Sequence, residues 1–250
     1  MPPVFPPQST QAISATRRGS RAPLLLCIAS AAIPFLAVQV SYLLAAEAGS
    51  VPWCIPYIDS CTSISATGRS GTASYVFRGA MLPSSILIAA FWWLHWRWMR
   101  DAGSTSPIRL RSMLWLGWTA CLGLVLYVSV LGEAGELWRL QRRIGTVLFF
   151  SFTFLAQLLL AAELRYLPAH VAPVAPWVGR WLLRLCWMML FIGVFSVIIQ
   201  TIDEHWHDAI EDGIEWQLAL LLQLNFLICS RLWWRSDWHL GFHREEQSGS

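Results

Sequence analysis

Six stretches of the chain, 23–46, 77–98, 112–132, 144–165, 180–200 and 213–234, run almost unbroken in apolar residues, and the polar and charged positions crowd into the short segments between them. A helix crosses a hydrocarbon core about 30 Å thick with about 20 mainly apolar residues. Each stretch therefore predicts a membrane-spanning helix, and the expected fold is all-α: a polytopic membrane protein built as a six-transmembrane-helix bundle with a long structured first outer loop. The connections leave no room for a soluble domain. Any site must be made from helix interiors and loop tips, because backbone in lipid has to satisfy its own hydrogen bonds. The apolar run after Pro23 exceeds the roughly 7–15 residues of a signal-peptide core and reads as a retained first span. The expected organisation is a disordered tail over 1–22, a membrane domain over 23–238 and a second tail over 239–250.

Composition agrees with that pattern. Of 250 residues, 56% are hydrophobic and 13% charged, with a mean hydropathy of +0.49, whereas charged residues alone supply about a quarter of a soluble domain. A net charge of +3 without a basic patch argues against nucleic acid as a partner. Every one of the 18 basic residues is arginine, so Schiff-base and lysine-nucleophile chemistry are excluded. Thirteen arginines fall in the N-terminal tail, the second and fourth loops and the C-terminal tail, against five elsewhere. By the positive-inside rule both termini are cytoplasmic, in an inner membrane if the source is bacterial and an endomembrane if it is eukaryotic. Ten of the 15 acidic residues lie on the opposite, outer side, among them Asp203, Glu204, Asp208, Glu211 and Asp212. The groups Trp92, Trp93, Trp96 and Trp98, and Trp233, Trp234 and Trp238, sit at predicted helix ends and read as interfacial anchors. No repeat of interrupted helices is visible, which disfavours a transporter.

The first outer loop, Val51 to Arg78, holds most of the candidate chemistry. Pro52 and Pro56 break helices, Gly68 and Gly71 permit turns, and hydroxyls cluster from Ser60 to Thr67. Cys54 and Cys61 could close a small ring around Pro56-Tyr57-Ile58-Asp59 in an oxidising compartment, or stay as two buried thiols. Cys27, Cys121, Cys186 and Cys229 read as small packing residues within spans. Arg78 opens span two and Glu215 opens span six on the same side, and charges at membrane depth usually face a partner or a cavity. They are expected to pair, or to line a polar ligand pocket under the loop with Asp59, Arg69, Ser63 and Ser65; the alternative is two independent snorkelling charges. His205 and His207 lie in a predicted solvated acidic loop without the i+4 histidine of helical zinc motifs, and His95 and His170 fall near the other face, so no metal and no cofactor are expected. No Gly-x-Ser-x-Gly elbow is present and no catalytic residue is assigned. Gln157, Gln200, Gln217, Gln223 and Asn225 read as hydrogen-bonding glue between helices, and Glu163 as an interfacial partner of Arg165.

Three segments carry a resemblance: PYIDSCTSISATGRSGTASYVFR at 56–78, RRIGTVLFFSFTFLAQLLL at 142–160, and EWQLALLLQLNFLICSRLWWRSDW at 215–238. Together they resemble the Frag1/DRAM/Sfk1 family. The likeness is greatest to its GPI-anchor remodelling branch, through the proline-containing, serine-rich loop that ends in an aromatic-Val-Phe-Arg string and the acidic residue that opens span six. The resemblance implies a six-helix membrane protein associated in eukaryotes with lipid-anchor processing, sphingolipid or sterol homeostasis and autophagy. The function expected from it is to bind, or help remodel or distribute, a membrane lipid or lipid-anchored partner at an outer-leaflet site under the first loop. The alternatives are a lipid-modifying enzyme, an acyl or headgroup transferase using Asp59, Glu215 or a loop hydroxyl, and an accessory or scaffold subunit that works through membrane protein partners.

Overall fold

A computed structural model of the protein describes residues 21–103, 106–167 and 172–234. The tails, His170 and Trp238 lie outside the described residues. Six long helices, α1 (Ala22–Glu47), α4 (Gly71–Asp101), α5 (Pro107–Ser129), α6 (Glu136–Tyr166), α7 (Ala175–Ile202) and α8 (Glu204–Trp233), are each long and apolar enough to cross a membrane. Two single-turn helices, α2 (Pro56–Asp59) and α3 (Ile64–Thr67), occupy the connection between α1 and α4. Each long helix packs on the next, α8 returns to α1, and the six form a closed ring. One end of the ring carries α2 and α3 and is called the loop end. The other, where most arginines lie, is the arginine end.

Most helix starts lie earlier than expected: α5, α6 and α7 begin at Pro107, Glu136 and Ala175 rather than at 112, 144 and 180, and two further shifts reshape the loop end. Helix α4 begins at Gly71 rather than 77, so the first loop is shorter and partly helical. The expected acidic loop over 203–212 is the first part of α8, and the whole α7–α8 connection is Asp203. This residue ends one helix and starts the next: its N–H donates to the Ile199 carbonyl (2.8 Å), and its carboxylate accepts from the Trp206 N–H (3.0 Å), the usual role of an aspartate at a helix start.

Close contacts between helices are made where side chains vanish. A Cβ placed on Gly145 of α6 would lie 2.6 Å from the Tyr127 backbone nitrogen and 2.7 Å from the Gly123 carbonyl oxygen of α5. Glycine at both positions lets the two backbones touch, the small-residue packing that drives helix association in lipid. Trp92 is nested against Gly117 in the same way, with room for no side chain at that position (2.3 Å). Pro34 within α1 removes the N–H that would bond the Ser30 carbonyl. The Gln223 amide of α8, oriented to satisfy both its atoms, donates to the Ser30 and Ala31 carbonyls at 3.2 Å, so a helix-breaking residue becomes a cross-link between helices.

Aromatic rings from α4 and α8 meet across the ring interior. Phe91 and Phe226 are 4.8 Å apart by centroid, and Trp98 and Trp233 5.2 Å. Trp92, Trp98, Trp216 and Trp233 are all buried. This corrects the expectation that the tryptophan groups are interfacial anchors: part of each group is core, while Trp234 stays exposed.

Candidate functional site

The first loop folds back onto α1 and α8. Tyr42 of α1 holds Cys54 through two hydrogen bonds, accepting from its N–H (2.8 Å) and donating to its carbonyl (2.7 Å). Cys54 and Cys61 are joined in a disulfide that closes the α2 segment. Ser60 accepts from the Gly213 N–H (2.9 Å), Thr62 from the Trp216 indole (2.8 Å) and the Tyr57 carbonyl from Gln217 (3.0 Å). The Tyr57 hydroxyl accepts from Gln39 (2.7 Å). Burial pushes the Tyr57 phenol above its ordinary pKa, against the opposing effect of that bond, so it stays neutral and keeps its proton.

Helix α3 lies over the mouth of the ring. Ser63 caps it by accepting from the Ala66 N–H (3.1 Å), and Arg69 donates to Ser65 (2.9 Å). The Glu215 carboxylate reaches its first turn, at the Ile64 N–H. At its far end, Gly68 abuts Phe77 and Leu131, and the Arg69 carbonyl and the Arg78 guanidinium both stand beside Gly132. The structure therefore brings Ser63, Ser65, Arg69, Arg78 and Glu215 around one element and leaves Asp59 apart, where it accepts from the Ile55 N–H (2.7 Å) and caps α2. The expected Arg78–Glu215 pairing is corrected: Arg78 donates to the Leu131 carbonyl, just past the end of α5, while Glu215 reaches α3. The reason is local. Each charge satisfies a backbone group left open at a nearby helix end. Tyr127, which the sequence did not single out, is buried there with Arg69, Arg142 and Glu215 within electrostatic reach.

These groups hold the mouth shut. The space lies elsewhere, as a lateral cleft of about 540 Å³ between α6 and α7, floored by α8 and lined by Phe150, Phe154, Met189, Gly193, Val197 and Leu218 among others. This volume is within the ~300–1,000 Å³ typical of ligand sites. The cleft exists because the two helices converge at the arginine end and diverge toward the loop end. Gly179 packs on the Ala161 carbonyl (2.9 Å for an added Cβ), whereas Gly193 meets nothing within 4 Å. Along α8, Glu211, Glu215, Leu218 and Leu222 recur at helical spacing, so one stripe bears carboxylates near the loop end and apolar residues at cleft depth.

Near the loop end of the same helices, the Ser196 hydroxyl is 3.2 Å from His207 Nε2, and His207 Nδ1 is 3.7 Å from Glu211 and 3.9 Å from Asp208. Placing 203–212 in a helix puts Glu211 at i+4 from a buried His207, a relation the loop reading could not show. The ligand atoms of His207, Asp208 and Glu211 lie within 4.8 Å of one another, so these three could hold a metal.

Among the polar residues inside the bundle, Gln157 donates to the Leu222 carbonyl (3.1 Å) and does bridge helices, whereas Asn225 bonds within its own helix (3.1 Å). Glu163 is corrected as well: it is 3% exposed and pairs with Arg109 of α5, not with Arg165.

No curated protein and no solved structure matches the chain. A family model described as the Frag1/DRAM/Sfk1/Cwh43P N-terminal domain matches residues 23–231, from the first turn of α1 to the last of α8. The chain therefore belongs to the Frag1/DRAM/Sfk1 family.

Proposed function

We propose that the protein binds a membrane lipid, or the lipid of a lipid-anchored partner, and through that binding helps remodel or distribute it. The observation that carries this reading is the α6–α7 cleft. It is apolar, opens sideways where acyl chains lie, and runs toward a loop end rich in carboxylates and hydroxyls that suits a headgroup. We place the loop end on the outer side and both termini in the cytoplasm, because arginine is concentrated at the other end. The proposed site is thus beside α8 rather than beneath the first loop. Gly193→Phe fills the cleft from a position with nothing within 4 Å of an added Cβ. Native mass spectrometry of the purified variant should show at least a fivefold loss of co-purifying lipid with an unchanged melting temperature; wild-type retention rejects the reading.

A second reading, acyl transfer on the same lipid, is favoured by the Ser196–His207–Glu211 arrangement, which has the order nucleophile, base and orienting carboxylate. The Ser196 oxygen would bond to the acyl carbonyl carbon as the ester C–O bond breaks. His207 would pass the serine proton to the departing alcohol, and water or a second lipid hydroxyl would then take the acyl group. A fluorophosphonate probe should label the wild type and not Ser196→Ala; equal labelling of the two removes this reading.

A further inference from the structure

Among the described residues at the arginine end, nine arginines face two acids, Asp101 and Glu163. Both acids are engaged: Asp101 lies 3.3 Å from Arg97 and 3.8 Å from Arg100, and Glu163 is held by Arg109. Arg100 and Arg184 also stand over the rings of Trp96 and Trp181, each at 4.8 Å. Arg111 is different. It is exposed, has no ion-pair partner among the described residues, and, unlike the other arginines at this end, lines a groove of about 700 Å³ between α5 and α6. Below it the groove is formed by Ser112, Trp115, Leu116 and Thr119 on α5 and by Phe152 on α6. From Arg111 to Thr119 is about 12 Å along the helix, close to the roughly 15 Å depth of one leaflet's hydrocarbon. Phe152 faces this groove while Phe150, Phe154 and Leu155 line the α6–α7 cleft, so opposite sides of α6 serve two separate spaces.

We propose that the α5–α6 groove is a binding site for an anionic phospholipid of the leaflet at the arginine end. Its phosphate sits on Arg111 and its glycerol oxygens near the Ser112 hydroxyl, and one acyl chain lies along Trp115, Leu116 and Phe152. A planar guanidinium suits a phosphate. The charge balance selects the headgroup. With Asp101 and Glu163 already paired, no acid among the described residues at this end is left to receive a choline or ethanolamine ammonium, and the surrounding arginines repel one. A headgroup of net negative charge is attracted by these arginines, and each arginine near the surface favours an anionic lipid about fivefold. This site is independent of the α6–α7 cleft and of the function proposed for it.

The test uses the purified full-length protein with equimolar phosphatidylglycerol and phosphatidylcholine of identical acyl chains, reading retained lipid by native mass spectrometry. The wild type should retain phosphatidylglycerol at least fivefold over phosphatidylcholine, and Arg111→Gln should bring the two close to parity. Thr119→Trp, which blocks the trough and spares the charge, should reduce retained phosphatidylglycerol by a similar factor at an unchanged melting temperature. Arg180→Gln, an exposed arginine at the same end but outside the groove, should leave the preference intact, as should Gly193→Phe. Absence of a preference in the wild type overturns the site. An equal loss in Arg180→Gln also overturns it, since that outcome means diffuse attraction to the whole arginine face.

Discussion

The α5–α6 and α6–α7 contacts both depend on glycine, and they use it in opposite ways. Between α5 and α6, Gly123 and Gly145 face each other, so an added Cβ on either meets backbone below 3.0 Å. Between α6 and α7 the same device works only at Gly179. Two to four turns nearer the loop end, Phe150, Phe154 and Met189 line the space between the helices, and Gly193 faces open space. A glycine draws membrane helices together where the residue it faces on the partner helix is itself small, as Gly123 and Gly145 face each other and Gly179 faces Ala161. Facing large side chains, as Gly193 does, it leaves a gap, the one in which we propose an acyl chain lies.

The comparison can be broken most sharply at Gly145. Gly145→Leu forces α5 and α6 apart at backbone level and should cost about 3 kcal/mol or more, seen as loss of monodisperse protein or a fall of many degrees in melting temperature. Gly193→Leu, the same change across the other contact, should melt like the wild type. Equal effects of the two would remove the distinction. At the loop end, replacing Cys54 and Cys61 together by serine should cost about 2–3 kcal/mol through the freed loop; alkylation and intact mass should first show no free thiols at these positions in the wild type. The smallest effect is expected for Gln157→Leu. Losing its bond to the Leu222 carbonyl, which ties α6 to α8 behind the cleft, should cost roughly 0.6 kcal/mol, within reach of a careful thermal-shift series.

The six helices were legible because lipid imposes one rule, about 20 apolar residues per crossing, and the chain obeys it six times. What hydropathy could not show is where a helix continues once it has left the apolar window. The first turns of α4 (Gly71–Val76) and α8 (Glu204–Asp212) are polar, and only the capping chemistry of Asp203, an aspartate followed directly by glutamate, hinted that α8 starts early. Partnerships were legible when local and not otherwise. Arg165 is two residues from Glu163, but residues two apart on a helix do not face each other, and the true partner Arg109 comes from another helix. Arg78 and Glu215 do lie at one end, but Arg78 bonds the Leu131 carbonyl and Glu215 reaches the Ile64 N–H, partners that no sequence pattern pointed to. The cleft had the faintest signal: it depends on the spacing between two helices, which is set by Ala161 and Gly179 at one end and by phenylalanines at the other.

The single-residue connection at Asp203 ties these parts mechanically. Helix α7 has no slack of its own at the loop end: Asp203 closes it and starts α8, and Ser196 is fastened to His207 (3.2 Å). Helix α8 is in turn gripped by the disulfide-closed loop through Ser60 and Tyr57. The two helices and the first loop are therefore joined by an unbroken series of contacts, while α7 packs most closely on α6 where Gly179 bears on Ala161. A pull on the first loop would therefore be felt at α7 and α8, which border the α6–α7 cleft.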